Sequence, residues 1–183
     1  MKILAFAGSL RAGSLNRMLL TNALAALEGK AELDRLDLRD VAMPIYDGDL
    51  EAAQGPPEGA RRFKARIAAA DALLIATPEY NTSVPGGLKN VIDWASRPPD
   101  IPFKGKVALL LSASPGQFGA VRSLMTVRQI LTALFVHVVP QAVSVSRADQ
   151  AFDESGNLKE ARTKASIEKA CAELLRLTAL LRA

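Results

Sequence analysis

The chain has 183 residues, 49% of them hydrophobic and 23% charged, and its 23 basic and 19 acidic residues give a formal net charge of +4. One His and one Cys exclude a disulfide framework and a zinc site built from several such ligands. The length fits one domain with a full core. No apolar run approaches the roughly 20 residues of a membrane helix. The basic residues are scattered and form no stripe of the kind that binds nucleic acid.

Short apolar runs predict the strands. The strongest runs are KILAFA at 2–7, DALLIAT at 71–77 and KVALLLS at 106–112. None alternates polar and apolar residues, which is typical of strands covered on both faces of a parallel sheet. A weaker run at 32–38 predicts a less buried strand nearer an edge, and another at 136–146 predicts a strand that starts after Pro140.

Helical periodicity occupies the intervals between these runs. Ser14 is a good N-cap for the first helix, and Pro85 suits the first turn of the helix after the third strand. The predicted apolar stripes are Leu15, Leu19, Ala23 and Ala26; Leu88, Val91, Ile92 and Ala95; Val121, Leu124, Met125, Leu131 and Leu134; and Ile167, Ala170, Cys171, Leu174 and Leu181. Residues 39–59, rich in Pro, Gly and acids, are predicted to form a surface loop. The alternating order implies an α/β protein, an open parallel sheet with helices on both faces.

The loop at 8–16, GSLRAGSLN, joins the first strand to the first helix, at the sheet edge where such folds bind ligands. A phosphate could be bound by the backbone N–H groups at the helix N-terminus and by the neutral donors Ser9, Ser14 and Asn16. The guanidinium of Arg11, which can donate two parallel hydrogen bonds, also suits a phosphate. Ser14 stands where a P-loop has Lys, and GxGxxG is absent, which disfavours triphosphate hydrolysis and a dinucleotide site. A monophosphate cradle is predicted; the alternative is a polar turn with a helix cap.

Two further loops follow the other strong strands. The loop at 78–87, PEYNTSVPGG, contains two Pro and two Gly, which suit a rigid loop facing a flat heterocycle, with Tyr80 and Asn81 as contacts. A capped loop that merely starts a helix fits these residues equally well. The loop at 112–119, SASPGQFG, is small and polar, and on its own it is typical of an ordinary connection.

Taken together, the stretches GSLRAGSLN, PEYNTSVPGGLKNVIDW and SASPG resemble the NADPH-dependent FMN reductase family, which includes flavodoxin-like quinone, azo-dye and chromate reductases. The resemblance covers nearly the whole chain. It implies a single flavodoxin-like FMN-binding domain over residues 1–183. The implied architecture is a doubly wound five-stranded parallel sheet with strand order 2-1-3-4-5 and helices on both faces. Gln117 and Ala120 depart from the glycine-richer third loop of the family.

The resemblance also assigns the cofactor-binding residues. The FMN phosphate would be held by Ser9, Arg11, Ser14, Leu15 and Asn16. The isoalloxazine would be lined by Pro78, Glu79, Tyr80 and Asn81. The ring or the ribityl chain would be bordered by Ser114 and Gly116.

The implied activity is transfer of hydride from NADPH or NADH to bound FMN and then to a quinone, azo compound, flavin or similar acceptor. The flavin carries the hydride, so no catalytic side chain and no metal is expected, in agreement with the single His and Cys. His137 is expected to be a core or near-surface residue, and Cys171 a small buried one. The alternatives are a flavodoxin-type electron carrier, which would gain from an acidic face that a charge of +4 does not suggest, and a reductase that releases free reduced FMN.

The expected surroundings are those of a cytoplasmic enzyme. The N-terminal apolar run has five residues, fewer than the roughly 7–15 of a signal-peptide core. The resemblance implies a homodimer or homotetramer in which partner residues close the flavin pocket, and Arg122 and Arg128 are candidate contacts. The expected partner is a small-molecule electron acceptor, with neither nucleic acid nor membrane.

Overall fold

The computed structural model describes residues 1–182. Apolar strands without alternation must be covered on both faces, and here helices pack on both sides of a single sheet. The strands are β1 (Lys2–Ala7), β2 (Glu32–Leu36), β3 (Ala72–Thr77), β4 (Val107–Ala113), β5 (His137–Val138) and β6 (Val143–Val145). The α-helices are α1 (Leu15–Leu27), α2 (Gly48–Gln54), α3 (Glu58–Ala69), α4 (Gly86–Ala95), α5 (Val121–Ala133) and α6 (Ala161–Arg182). A 3₁₀ turn covers Leu38–Val41.

The sheet is parallel throughout, with the order β2-β1-β3-β4-β5, and β6 also pairs with β4. The predicted order 2-1-3-4-5 is therefore confirmed. The chain moves from β1 to β2 on one side and then crosses to β3 on the other. The strand order reverses at this point, so the loops after β1 and β3 flank the crevice where such folds bind ligands.

The fifth strand position differs from the prediction because strand pairing occurs on both sides of Pro140. Strand β5 pairs with the start of β4 and β6 with its end, so the sheet has six strands in five positions. The backbone N–H of Val139 still donates to the carbonyl of Ala108 at 2.8 Å. Pro140 has no N–H to donate, so a break in the ladder is expected there.

Successive strand residues feed two cores, one on each face. Ile3 and Ala5 pack in the core that α1 and α6 cover, whereas Leu4 and Phe6 pack in the core beneath α3, α4 and α5. Cys171 lies in the first core, where burial raises the pKa of its thiol to about 12, so the expected inert, buried side chain is confirmed.

Some helix-stripe residues lie outside the core. Val121, Met125 and Leu181 are 38%, 67% and 49% exposed, so their predicted places in buried apolar stripes were wrong. On α5, Leu124 and Leu131 are buried as predicted, and Val127 joins them on the inward face. An apolar stripe marks the buried face of a helix only where other elements pack against it. At these positions no element within residues 1–182 covers the helix.

The segment at 39–59 is not the predicted loop, since it holds the 3₁₀ turn, α2 and the start of α3. One of its acidic residues is a helix cap: Asp47 accepts from the N–H groups of Asp49 and Leu50 at the start of α2. Asn90 and Trp94 both donate to the carbonyl of Pro44, which fastens the segment to α4. Turn-forming residues therefore begin helices here.

None of the helices in the described range combines the length and the apolar character needed to cross a membrane.

Leu174→Ala should lower the free energy of unfolding by about 2–5 kcal/mol, because Leu174 is fully buried between α6 and the sheet. The matched change Leu181→Ala, on the exposed face of the same helix, should stay within about 0.5 kcal/mol. Urea denaturation of both variants checks this, and equal losses would contradict the assignment of the buried face.

Candidate functional site

The loops that follow β1, β3 and β4 meet at one cleft of about 410 Å³, here called the main cleft. This volume lies in the range of about 300–1,000 Å³ typical of small-molecule sites. The main cleft is lined by Ser9, Arg11, Gly13, Ser14, Leu15, Asn16, Pro78, Glu79, Tyr80, Ala113, Ser114, Pro115 and Asp149. The cleft lies at the carboxyl edge of the parallel sheet, where the fold predicts a ligand site.

The structure brings the predicted residues together, with two exceptions. Asn81 and Gly116 sit on the same loops but do not line the main cleft. Asp149 was not predicted, because it lies outside the loops that follow the three strong apolar strands. The sequence signal for Asp149 was its position as a charged residue just after the predicted weak strand at 136–146.

The loop after β1 presents an anion-binding geometry. Ser14 caps α1, its Oγ accepting from the N–H of Arg17 at 3.3 Å. The N–H groups of Leu15 and Asn16 belong to the first helical turn, which has no preceding carbonyl to accept them. Arg11 is exposed and forms no ion pair with any residue in the range 1–182. Positive charge and free N–H groups therefore converge on this end of the cleft.

The side chain of Asn16 has a partner inside the protein. Its Nδ2 donates to the carbonyl of Ala113 and its Oδ1 accepts from the N–H of the same residue, both at 2.9 Å. Asn16 is 3% exposed, so this reciprocal pair lies in the buried floor of the cleft. Only its backbone N–H remains oriented as a helix N-terminal donor. The side chain fastens the first loop to the third.

The loop after β3 turns sharply behind Tyr80. Tyr80 and Ser83 exchange backbone hydrogen bonds of 3.0 and 3.1 Å, while Asn81 and Thr82 both have positive φ values, 48° and 63°. Two left-handed residues between paired positions are characteristic of a type I′ turn, which Asn accommodates and β-branched Thr disfavours. The turn makes this loop rigid and leaves Tyr80 46% exposed at the cleft.

Glu79 is held by the start of α5. Its Oε1 accepts from Nε of Arg122 at 2.7 Å and its Oε2 from the backbone N–H of Arg122 at 3.1 Å. Ala120 at the N-cap offers no capping side chain, so the Glu79 carboxylate takes that role. The Arg122 side-chain hydrogen bond is the largest cause lowering the pKa of Glu79, and burial opposes it. The charge of Glu79 is thus matched within the protein.

Hydroxyl groups beneath the cleft hold the third loop. Ser112 and Ser144 donate to the carbonyl of Gly119 at 2.6 and 2.7 Å. Gly119 has φ 55°, and a Cβ there would collide with Ser144 and the backbone of Val145. The close approach therefore requires glycine. Phe118 stays 56% exposed, with the Arg122 guanidinium 5.3 Å from its ring centroid.

The cleft offers binding groups rather than reactive ones. Across residues 1–182, no group of three or more His, Cys, Asp or Glu side chains is placed to hold a metal ion. His137 is exposed on β5, outside the residues that line the cleft. The anion-binding N-terminus of α1 and the loops that carry Tyr80 and Ser114 line the same cleft. A ligand with a phosphate and a ring, such as FMN, fits this set of groups.

Comparison with known proteins agrees with this geometry. A family model described as NADPH-dependent FMN reductase matches residues 1–150. An NAD(P)H-dependent FMN reductase of Pseudomonas aeruginosa is 43% identical over 169 residues, 92% of this chain and 90% of that protein. A quinone reductase of Escherichia coli is 40% identical over 135 residues, 73% of this chain and 71% of that protein.

The structure of FerB, a flavoenzyme NAD(P)H:(acceptor) oxidoreductase from Paracoccus denitrificans, superimposes with a TM-score of 0.85 at 31% identity, covering 98% of this chain and 97% of that one. The fold is thus flavodoxin-like, as expected. The chain belongs to the NADPH-dependent FMN reductase family, which confirms the resemblance carried by the three loops.

Glu79→Gln should lower the free energy of unfolding by about 1–3 kcal/mol at pH 7, because it removes a charged partner from Arg122 and the α5 N-terminus. A lowered pKa gives stability that is complete above the unfolded-state value of about 4.3 and is lost as pH falls through the folded value. The difference from wild type should therefore shrink towards pH 3 in urea titrations. Glu58→Gln, at a surface pair with Arg61, is the control expected to show little effect.

Thr82→Gly should raise the free energy of unfolding by about 1 kcal/mol, because glycine adopts the left-handed conformation without the cost that a Cβ imposes. Thr82→Ala keeps a Cβ and should change stability less. Thermal unfolding of the two variants measures the difference. Equal stabilities would show that the turn stores no such strain.

Proposed function

We propose that this chain is an FMN-containing NAD(P)H-dependent oxidoreductase. Hydride would pass from NADPH or NADH to bound FMN and then to a quinone, azo compound, flavin or similar acceptor. The observation that carries the proposal is the main cleft, which joins an unpaired Arg11 at the α1 N-terminus to the rigid loop around Tyr80. Family membership and the reductase names of the relatives support it.

The cofactor would lie along the main cleft, in one FMN-binding domain spanning residues 1–183. Phosphate oxygens would accept from Arg11, from the N–H groups of Leu15 and Asn16, and from the hydroxyls of Ser9 and Ser14. The ring would be lined by Pro78, Glu79 and Tyr80, which line the main cleft, and by Asn81, which follows them in the turn outside the cleft lining. Ser114, which lines the main cleft, and Gly116, whose N–H donates to Ser114 Oγ, would border the ring or ribityl chain.

Bound FMN supplies the hydride-carrying ring, so the protein contributes binding and orientation. Pro78 and Tyr80 are held in place by the turn behind them, and they would fix the plane of the ring. Glu79 donates no proton to the site in this arrangement, because Arg122 holds both of its oxygens and keeps it ionised.

Two alternative functions would use the same cleft. One is a flavodoxin-type electron carrier, and the other is a reductase that releases free reduced FMN. A net charge of +4 favours the oxidoreductase over a carrier steered by an acidic face.

Anaerobic addition of NADPH or NADH to the FMN-loaded protein separates these functions. Bleaching of the flavin absorbance, followed by recovery on adding a quinone, is expected. Bound flavin that stays oxidised would indicate the carrier. Flavin that leaves the protein after reduction during gel filtration would indicate the releasing reductase, and failure to bind FMN would overturn the proposal.

We also propose that the protein assembles as a homodimer or homotetramer in the cytoplasm. Its partner would be a small-molecule electron acceptor, with neither nucleic acid nor membrane. Exposed apolar side chains support the assembly: Leu10, Ile45 and Met125 are 51%, 84% and 67% exposed. Ile45 lies on a backbone that Asn90 holds from both sides, so it projects from a fixed position. Arg128 instead donates to carbonyls of its own chain. Sedimentation equilibrium tests the assembly, and a monomer at micromolar concentration would exclude it.

Arg11→Ala should weaken FMN binding by about ten- to hundredfold, since a charged hydrogen bond contributes about 1.5–3 kcal/mol. Riboflavin, which lacks the phosphate, should bind both proteins equally. Fluorescence quenching titrations measure both affinities, with Arg162→Ala, at an exposed position of α6, as the control. An unchanged FMN affinity would show that the phosphate lies elsewhere.

A further inference from the structure

Asp149 lines the main cleft although it lies outside the three loops that the family resemblance identifies. It follows β6 at the same carboxyl edge of the sheet. The residue is exposed, and its carboxylate has no hydrogen-bond or ion-pair partner in the described part of the chain. It is therefore free to contact a ligand.

The backbone that carries Asp149 is fixed against the third loop. The N–H of Ala148 donates to the carbonyl of Ser114 at 3.0 Å, and that of Arg147 donates to Gly116 at 3.3 Å. Ala148 itself is fully buried. The carboxylate thus projects from an anchored turn at the wall formed by Ser114.

Arg11 and Asp149 carry opposite charges in one cleft without pairing with each other. A guanidinium only donates hydrogen bonds, and an ionised carboxylate only accepts them. A phosphate suits Arg11 and is repelled by Asp149, which requires a hydroxyl or a cationic donor instead. A ligand that satisfies both residues carries an anionic group and, apart from it, a hydroxyl or a cationic donor. FMN has the first two, a phosphate and the hydroxyls of its ribityl chain.

We propose that Asp149 is a ribityl-recognition residue whose carboxylate accepts a hydrogen bond from a hydroxyl of the chain that links the phosphate and the ring of FMN. This inference rests on the proposed function, since the hydroxyls belong to that cofactor. Arg11 then selects for the phosphate, and Asp149 selects for the polyhydroxyl chain. The two residues together distinguish FMN from flavins that lack either part.

The test is a panel of three flavins titrated into wild type and Asp149→Ala by fluorescence quenching. FMN has the phosphate and the ribityl chain, riboflavin has only the chain, and lumiflavin has neither. Asp149→Ala should weaken FMN and riboflavin binding by a similar factor of about tenfold or more, and leave lumiflavin unchanged. Asp149→Asn keeps an acceptor oxygen and should lose less. Gln150→Ala, on the same turn but outside the main cleft, is the matched control and should bind all three flavins like wild type.

The direction of the FMN change decides the proposal. Tighter FMN binding by Asp149→Ala would show that the carboxylate repels the phosphate, and unchanged binding would show that it makes no contact. A loss confined to FMN would assign Asp149 to the phosphate end. Each of these results overturns the proposal while leaving flavin binding intact. A wild-type protein that binds no FMN would instead remove the proposed function itself, so the two failures are distinguishable.

Discussion

The reversal of strand order at β1 is the constraint on which the site depends. The chain leaves β1 for β2 and returns across β1 to β3, so α1 and α3 cover opposite faces of the sheet. Loops that depart to opposite faces leave a crevice between them at the carboxyl edge. The N-terminus of α1 points into that crevice and provides the anion cradle.

A crevice of this kind becomes a defined site only if its loops are held in place, and buried polar contacts do this. Asn16 links the first loop to the third through Ala113, and Glu79 links the second loop to α5 through Arg122. Within residues 1–182, no buried side-chain nitrogen or oxygen lacks a hydrogen-bond partner. Loops ordered before the ligand arrives lose less entropy when it binds.

Hydrophobic pattern and turn chemistry predicted much of this molecule. Strands without alternation required a doubly covered sheet, and Ser14 and Pro85 marked helix starts that the structure confirms or places within one residue. The three loops could be named because each follows a strong strand. The segment at 39–59 was misjudged, since its Pro, Gly and acidic residues resemble those of a loop. The partners that anchor the segment, such as Asn90, lie far along the chain.

The sequence by itself determined the class of fold, the family, and which loops form the site, because these follow from local periodicity and from motifs that are continuous in the chain. Only the tertiary structure decided what individual side chains do. The Asn16 amide bonds to Ala113, 97 positions away, and the Glu79 carboxylate bonds to Arg122, 43 positions away. Asp149 lines the cleft although it follows β6, after the strand pairing is interrupted at Pro140. Such contacts depend on distances in space, which no local pattern encodes.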